Sequence, residues 1–225
     1  MGVFAQTLAV FRKDVLLEWR GRSRVSAVVF FSTMTLLLFS FAVGPGREVL
    51  SRHAAGYLWL ALLLSSVLSL GESFRVETED EALEGMRLLP VDPRALFFGK
   101  ASSNFLLLLG LALLLVPGCL VLYSAEIRGS AGLLVASLAL GTGGLAAPGT
   151  LYAAMTARAR GRDVLLPLLL FPLVVPVLLA SVKATSLAMT GDPMNQGPSW
   201  LGVLVCFDVV YWSLPAILFG RVIED

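Results

Sequence analysis

Few side chains in this 225-residue chain are of a kind that does chemistry, and their spacing limits what they can do. His53 is the only histidine and stands four residues before Tyr57. An axial haem ligand and a structural interfacial histidine both fit that position. Asp208 is the only acid deep inside an apolar run. A charge at mid-bilayer costs about 2.5–3.5 kcal/mol. Such an acid lines a pathway, relays protons, or is held neutral or hydrogen-bonded between helices. Cys119 and Cys206 lie in apolar runs, and no CxxC pair or Cys/His cluster offers a metal site. Gly99-Lys100 suggests a phosphate loop, but Ala101 follows and Arg94 stands five residues before Gly99. The GxxxxGK(S/T) pattern therefore fails. HExxH and GxSxG are absent. The chain reads as no enzyme, with the energy for any work supplied by a partner.

The densest polar chemistry lies in residues 71–100, GESFRVETEDEALEGMRLLPVDPRALFFGK, which hold seven acids against four bases. Thr78 and Glu81 form a capping box, and acids in a first turn complement the helix dipole. Leu83, Met86 and Leu89 then share one face, and Pro90 and Pro93 stop the helix. The spacing predicts a short capped helix with an acidic start and a narrow apolar stripe. Such a helix inserts into a groove on another protein, its acids against basic residues there. A solvated acidic loop would have the same composition.

These groups must be positioned by a membrane bundle. The chain is 57% hydrophobic and 15% charged, and its net charge of +1 leaves no field for nucleic acid. Average soluble chains are about 45–50% apolar and about 25% charged. A spanning helix needs about 20 mostly apolar residues. Six runs qualify: Val25–Val43, Ala54–Leu70, Ala101–Tyr123, Ala131–Met155, Val164–Val182 and Trp200–Phe219. They do not alternate as barrel strands do. The expected fold is all-α: a polytopic membrane protein with six transmembrane helices, forming a single domain over residues 1–225. Thirteen Lys and Arg fall on one side of these spans and four (Arg47, Arg52, Arg128 and Lys183) on the other. The positive-inside rule places both termini in the cytoplasm. The first long apolar run begins only after Arg24, with no A-x-A site behind it, so no cleavable signal peptide is expected.

Residues 1–24 add an amphipathic helix. Phe4, Leu8, Phe11, Val15 and Trp19 recur at helical spacing, with Arg12, Lys13 and Arg20 off that stripe. Glu18 and Arg22 stand four apart in the favourable order. This pattern suits an interfacial anchor and equally an elbow helix framing a cytoplasmic docking cavity. In the fourth span, Ala139, Gly143 and Ala147 form a small-xxx-small ladder that lets another helix approach, from this chain or a second copy. Pro167, Pro172 and Pro176 in the fifth span suggest a bent or mobile helix, or a static kink.

Four features together resemble the CcmB family, the permease subunits of the bacterial ABC-type system for cytochrome c maturation, also called haem exporter protein B. They are FRKDVLLEWRGRS (11–23), the stretch from Gly56 to Lys100, GTGGLAAPGTLYAAMTARARGRDVLLPLLLFPLVVPVLL (141–179), and six spans in this length. The resemblance implies a type-2 ABC exporter permease in the bacterial cytoplasmic (inner) membrane, paired as a homodimer over two ATPase subunits that bind the ATP. It implies a coupling segment at 72–90 that docks on the ATPase. Phe74 and Arg75 match its aromatic-basic entry, Glu79, Asp80 and Glu84 its acidic positions, and Leu83, Leu89 and Pro90 its apolar stripe and stop. A haem-handling membrane subunit and a periplasmic haem chaperone are the further implied partners. Haem is the implied cargo, and no cofactor is bound by this chain itself. His53 and Tyr57 are the candidate haem contacts. The chain departs from the family twice: Glu81 and Ala82 follow Asp80 where a Gly is usual, and the last span carries Asp208. A general type-2 exporter permease for a lipid or drug, or a non-transporting membrane scaffold, would share the composition and spans.

Overall fold

The computed structural model describes residues 2–44, 46–74, 92–157, 159 and 161–224. Within them the chain forms seven helices: α1 (Val3–Arg20), α2 (Arg22–Val43), α3 (Arg47–Ser73), α4 (Pro93–Leu122), α5 (Ala131–Thr156), α6 (Arg162–Thr190) and α7 (Gly197–Glu224). Six of these, α2 to α7, are long and apolar enough to cross a membrane. The all-α polytopic fold is thus the one found, and this is a multi-pass membrane protein.

Each expected span falls within one of these helices to within a residue, but the helices run further than the apolar stretches. Charge at a helix end marks the edge of the apolar run and not the end of the helix. In α3 the extra first turn is held by the Glu48–Arg52 pair at 2.9 Å, four residues apart. Pro93, expected to stop the preceding helix, opens α4 as its first residue, and the segment it was expected to end lies outside the described residues. A proline there loses no helical hydrogen bond, and the Asp92 carboxylate caps the turn by accepting from the Arg94 amide at 2.8 Å. Residues 71–73 and 93–100 of the expected polar segment are accordingly helical. The three prolines of α6 lie within one continuous helix.

The bundle is built around α5, which packs against α3, α4, α6 and α7, while α1 rests mainly on α4 and α2 on α3. Ten consecutive α5 residues, 141–150, are buried. Their small size makes this possible, because neighbouring helices approach the α5 backbone itself. A Cβ on Gly141 would overlap the Trp59 ring and the Ser181 hydroxyl, and one on Gly149 would overlap Leu70. Without water, buried hydroxyls turn to the protein for partners, and among the described residues Ser65 and Ser181 show none. Thr142 and Thr150 donate to carbonyls one turn back, both at 2.7 Å. The Trp59 indole N–H donates to Thr185 Oγ1 at 2.9 Å, and Ser137 lies 3.0 Å from the same hydroxyl. One turn further along α6, Gly129 donates to Ala188 O at 2.9 Å, where a side chain would strike the α6 backbone.

Candidate coupling junction

A cluster of charged and polar side chains lies where α1, α2, α3 and α4 meet. Three elements present groups one helical turn apart. Asp14 and Glu18 lie on α1, the carbonyls of Ser69 and Ser73 on α3, and Lys100 and Asn104 on α4. Arg24 enters from the first turn of α2.

Lys100 is 2% exposed. Its ammonium donates to Ser73 O at 3.0 Å and to Asp14 Oδ2 at 3.4 Å, and lies 4.5 Å from the centre of the Phe74 ring. A buried ammonium is tolerated only with such partners, and the C-terminal carbonyls of α3 add the negative end of a helix dipole. Asn104 continues the network, donating to Ser73 Oγ at 3.2 Å and to Thr150 Oγ1 of α5 at 2.9 Å. Arg24 makes the matching contact one turn earlier on α3. Its guanidinium donates to Ser69 O at 2.6 Å and Glu18 Oε2 at 2.8 Å. Burial pushes the Glu18 carboxyl above the usual carboxylate range, and the Arg24 charge only partly opposes this. Two cations therefore clasp two α1 acids onto the last turns of α3.

Gly99 lets α1 come this close: a Cβ there would lie 2.7 Å from Val10. Gln6 accepts from the Asp92 amide at 3.0 Å, so α1 follows α4 from Asp92 to Lys100. The face of α1 against the bundle therefore carries Val10, Asp14 and Glu18. Phe4, Leu8 and Trp19 of the apolar stripe are exposed, and Phe11 and Val15 are half-buried. Gly21 separates α1 from α2, and Glu18 pairs with Arg24; the side chain of Arg22, expected to pair with Glu18, lies outside the described residues.

Of the residues singled out in the coupling segment, Phe74 is buried at the C-terminus of α3, against Lys100. Arg75, Glu79, Asp80, Leu83, Glu84, Leu89 and Pro90 lie outside the described residues, as does the capping box. His53 is exposed on α3, its ring 6.2 Å from Tyr57, which stacks on Phe39 at 4.9 Å and meets Tyr123 edge-on at 5.5 Å. Asp208 is half-buried and faces α5: Cβ atoms on Gly143 and Gly144 would each lie 3.2 Å from its carboxylate oxygens. Its Oδ1 has no hydrogen-bond partner among the described residues. Gly143 of the ladder thus faces α7 of the same chain, Ala147 is buried, and Ala139 is half-buried.

Sequence reasoning missed Lys100, Gly99 and Asp14. In the sequence Gly99-Lys100 reads as a broken phosphate loop, and Lys100 as one of the topology-setting cations. The signal available was a lysine immediately before a long apolar run, in a chain whose basic N-terminal helix carries two acids four apart.

Residues 5–223 match the family model described as CcmB protein. Among curated relatives, Heme exporter protein B of Pseudomonas aeruginosa is 34% identical over 202 residues, 90% of this chain and 89% of that one. The protein of the same name from Rhodobacter capsulatus is 36% identical over 172 residues, 76% of this chain and 78% of that one. Its namesake in Escherichia coli K12 is 31% identical over 199 residues, 87% and 89% of the two chains.

Proposed function

Because the chain belongs to the CcmB family, we propose that it is the permease subunit of an ABC transporter for cytochrome c biogenesis, with haem export as its task. It takes its energy from a separate cytoplasmic ATPase and catalyses nothing itself. The ATPase docks on the segment between α3 and α4 through Arg75, Glu79, Asp80, Leu83, Glu84, Leu89 and Pro90, while Phe74, expected to join them, is buried and anchors the start of that segment. Two copies work over two ATPases in the bacterial inner membrane, both termini in the cytoplasm. ATP-driven closure of the ATPases moves the docked segment. The spans then act on a haem-handling membrane subunit and promote release of the haem-loaded chaperone.

One observation supports this reading: the proposed docking segment begins beside the polar clasp. It leaves α3 at Phe74, whose ring meets Lys100, which in turn holds Asp14 of α1 and the end of α3. A pull on Phe74 is therefore a pull on three helices. Buried, hydrogen-bonded contacts transmit displacement because they have few alternative arrangements.

The test is charge reversal of Glu79, Asp80 and Glu84 together. The ATPase is expected to be lost from the purified complex while the subunit remains in the membrane. Unchanged co-purification refutes the docking role. Removal of this subunit with no change in the ATPase rate of the assembly refutes the coupling role.

A further inference from the structure

A cleft of about 380 Å³ opens between α1, α2 and α4, beside the clasp. Its walls include Val15 and Trp19 of α1, Val25 and Val28 of α2, and Leu107 and Gly110 of α4. Among its lining residues only Glu18 and Ser103 carry polar side chains outside the Trp19 indole. Leu106 and Leu114 at its edge are about half exposed, so the mouth is as apolar as the floor.

The dimensions of the cleft select its occupant. Along α4 the lining runs from Ser103 to Leu114. At 1.5 Å per residue that is about 16 Å, close to one leaflet of a hydrocarbon core roughly 30 Å thick. It begins where the apolar run of α4 begins, so it covers one leaflet and not the middle of the membrane. Over that length the cleft holds about 380 Å³, far less than the roughly 1,250 Å³ that a helix about 10 Å across would take up. A helix, about 10 Å across, does not fit; a single extended hydrocarbon chain does. Polarity is also graded. Glu18 and Ser103 sit at the end nearest the clasp, and Glu18 Oε1 has no hydrogen-bond partner among the described residues. A headgroup carrying an N–H or O–H donor would supply one. A haem would bring carboxylates against Glu18 and meet no His, Cys, Met or Tyr in the lining.

We propose that this cleft is a binding site for one acyl chain of a phospholipid, with its headgroup beside Glu18. A lipid so placed packs α1 against α2 and α4 where the protein itself leaves space.

Gly110 provides the test. It lines the cleft, and a Cβ there meets nothing within 4 Å. Gly110→Phe therefore fills the cleft from its own wall. Gly118→Phe, on the same helix, also points into open space and lies away from the cleft. The full chain in detergent, with whatever partners co-purify, is given limiting phosphatidylethanolamine bearing a diazirine in one acyl chain, irradiated, and mapped by peptide mass. Label is expected on Leu106–Leu114 and Val25–Val29 at about tenfold over the exposed α6 positions Leu168 and Val175, a factor of ten being about 1.4 kcal/mol of preference. Gly110→Phe is expected to remove that preference and Gly118→Phe to keep it. Equal labelling of both faces, or labelling unchanged in Gly110→Phe, overturns the proposal. So does displacement of the label by equimolar haemin, or a crosslink from the cleft to a second copy of the chain.

Discussion

Replacing Asp14 with Ala removes a carboxylate that lies 3.4 Å from the buried Lys100 ammonium, and the cost can be worked from the geometry. At 3.4 Å and an effective dielectric near 20, the gross attraction is about 5 kcal/mol. Losing one partner of a buried pair typically costs about 3–5 kcal/mol, because the other charge is stranded. Here the ammonium keeps Ser73 O at 3.0 Å and the Phe74 ring face. The expected loss is therefore lower, about 2–3 kcal/mol. Lys100→Met strands a less buried group, since Asp14 is 13% exposed and has Lys13 at 3.2 Å, so about 1–2 kcal/mol is expected. The double variant removes both charges and fills the site with a flexible apolar chain. It should lie within about 1 kcal/mol of the parent. The assay is reversible unfolding in detergent micelles, followed by tryptophan fluorescence for all four proteins of the cycle. A double variant whose loss equals the sum of the two singles would show that the groups do not act as a pair, and the clasp argument would fail.

Gly141→Val should destabilise the bundle by about 1–3 kcal/mol or prevent folding, since its side chain overlaps Trp59 and Ser181; an unfolding midpoint at the parental value contradicts the close approach of α3 and α6 to α5. Asp208→Asn keeps the shape against Gly143 and Gly144 and is expected to leave cytochrome c yield unchanged; a well-assembled variant with lost yield would mean that the carboxyl carries protons. The raised Glu18 carboxyl gives a pH test. The folded state holds this proton more tightly than the unfolded chain, so its contribution is full below the usual carboxylate pKa and is lost as pH rises through the raised value. The stability difference between Glu18→Gln and the parent should therefore shrink on acidification; a difference that grows would reverse the sign of the argument.

The six spans were legible because each carries its own apolar signal. α2 and α7 are mostly lipid-facing and still read clearly, since lipid demands the same residues as a core. Helix ends were less legible. Hydropathy stops at Arg47–Arg52, while the backbone continues through them on a salt bridge. The acid-rich segment was read from the sequence, but its root was not. Pairing Asp14 with Lys100 joins positions 86 residues apart, and no local pattern announces that. The ladder on α5 announced a close approach without its partners. Trp59, Val177, Leu70 and Asp208 come from three other helices, and which face meets which is decided only when all are packed. The N-terminal helix was legible in part: its apolar stripe is divided between exposed Phe4 and Leu8 and half-buried Phe11 and Val15, while Asp14 and Glu18, which tie it to the bundle, carry no such pattern.

The burial of α5 also bears on how the protein is made. Residues 141–150 read Gly, Thr, Gly, Gly, Leu, Ala, Ala, Pro, Gly, Thr, side chains that gain little by leaving water for lipid. Their stability in the membrane comes from α3, α4, α6 and α7. Two of those neighbours, α6 and α7, emerge from the ribosome after α5. During synthesis this helix is therefore a weakly held guest of the insertion machinery, and it becomes a permanent span only when the last two helices arrive to enclose it.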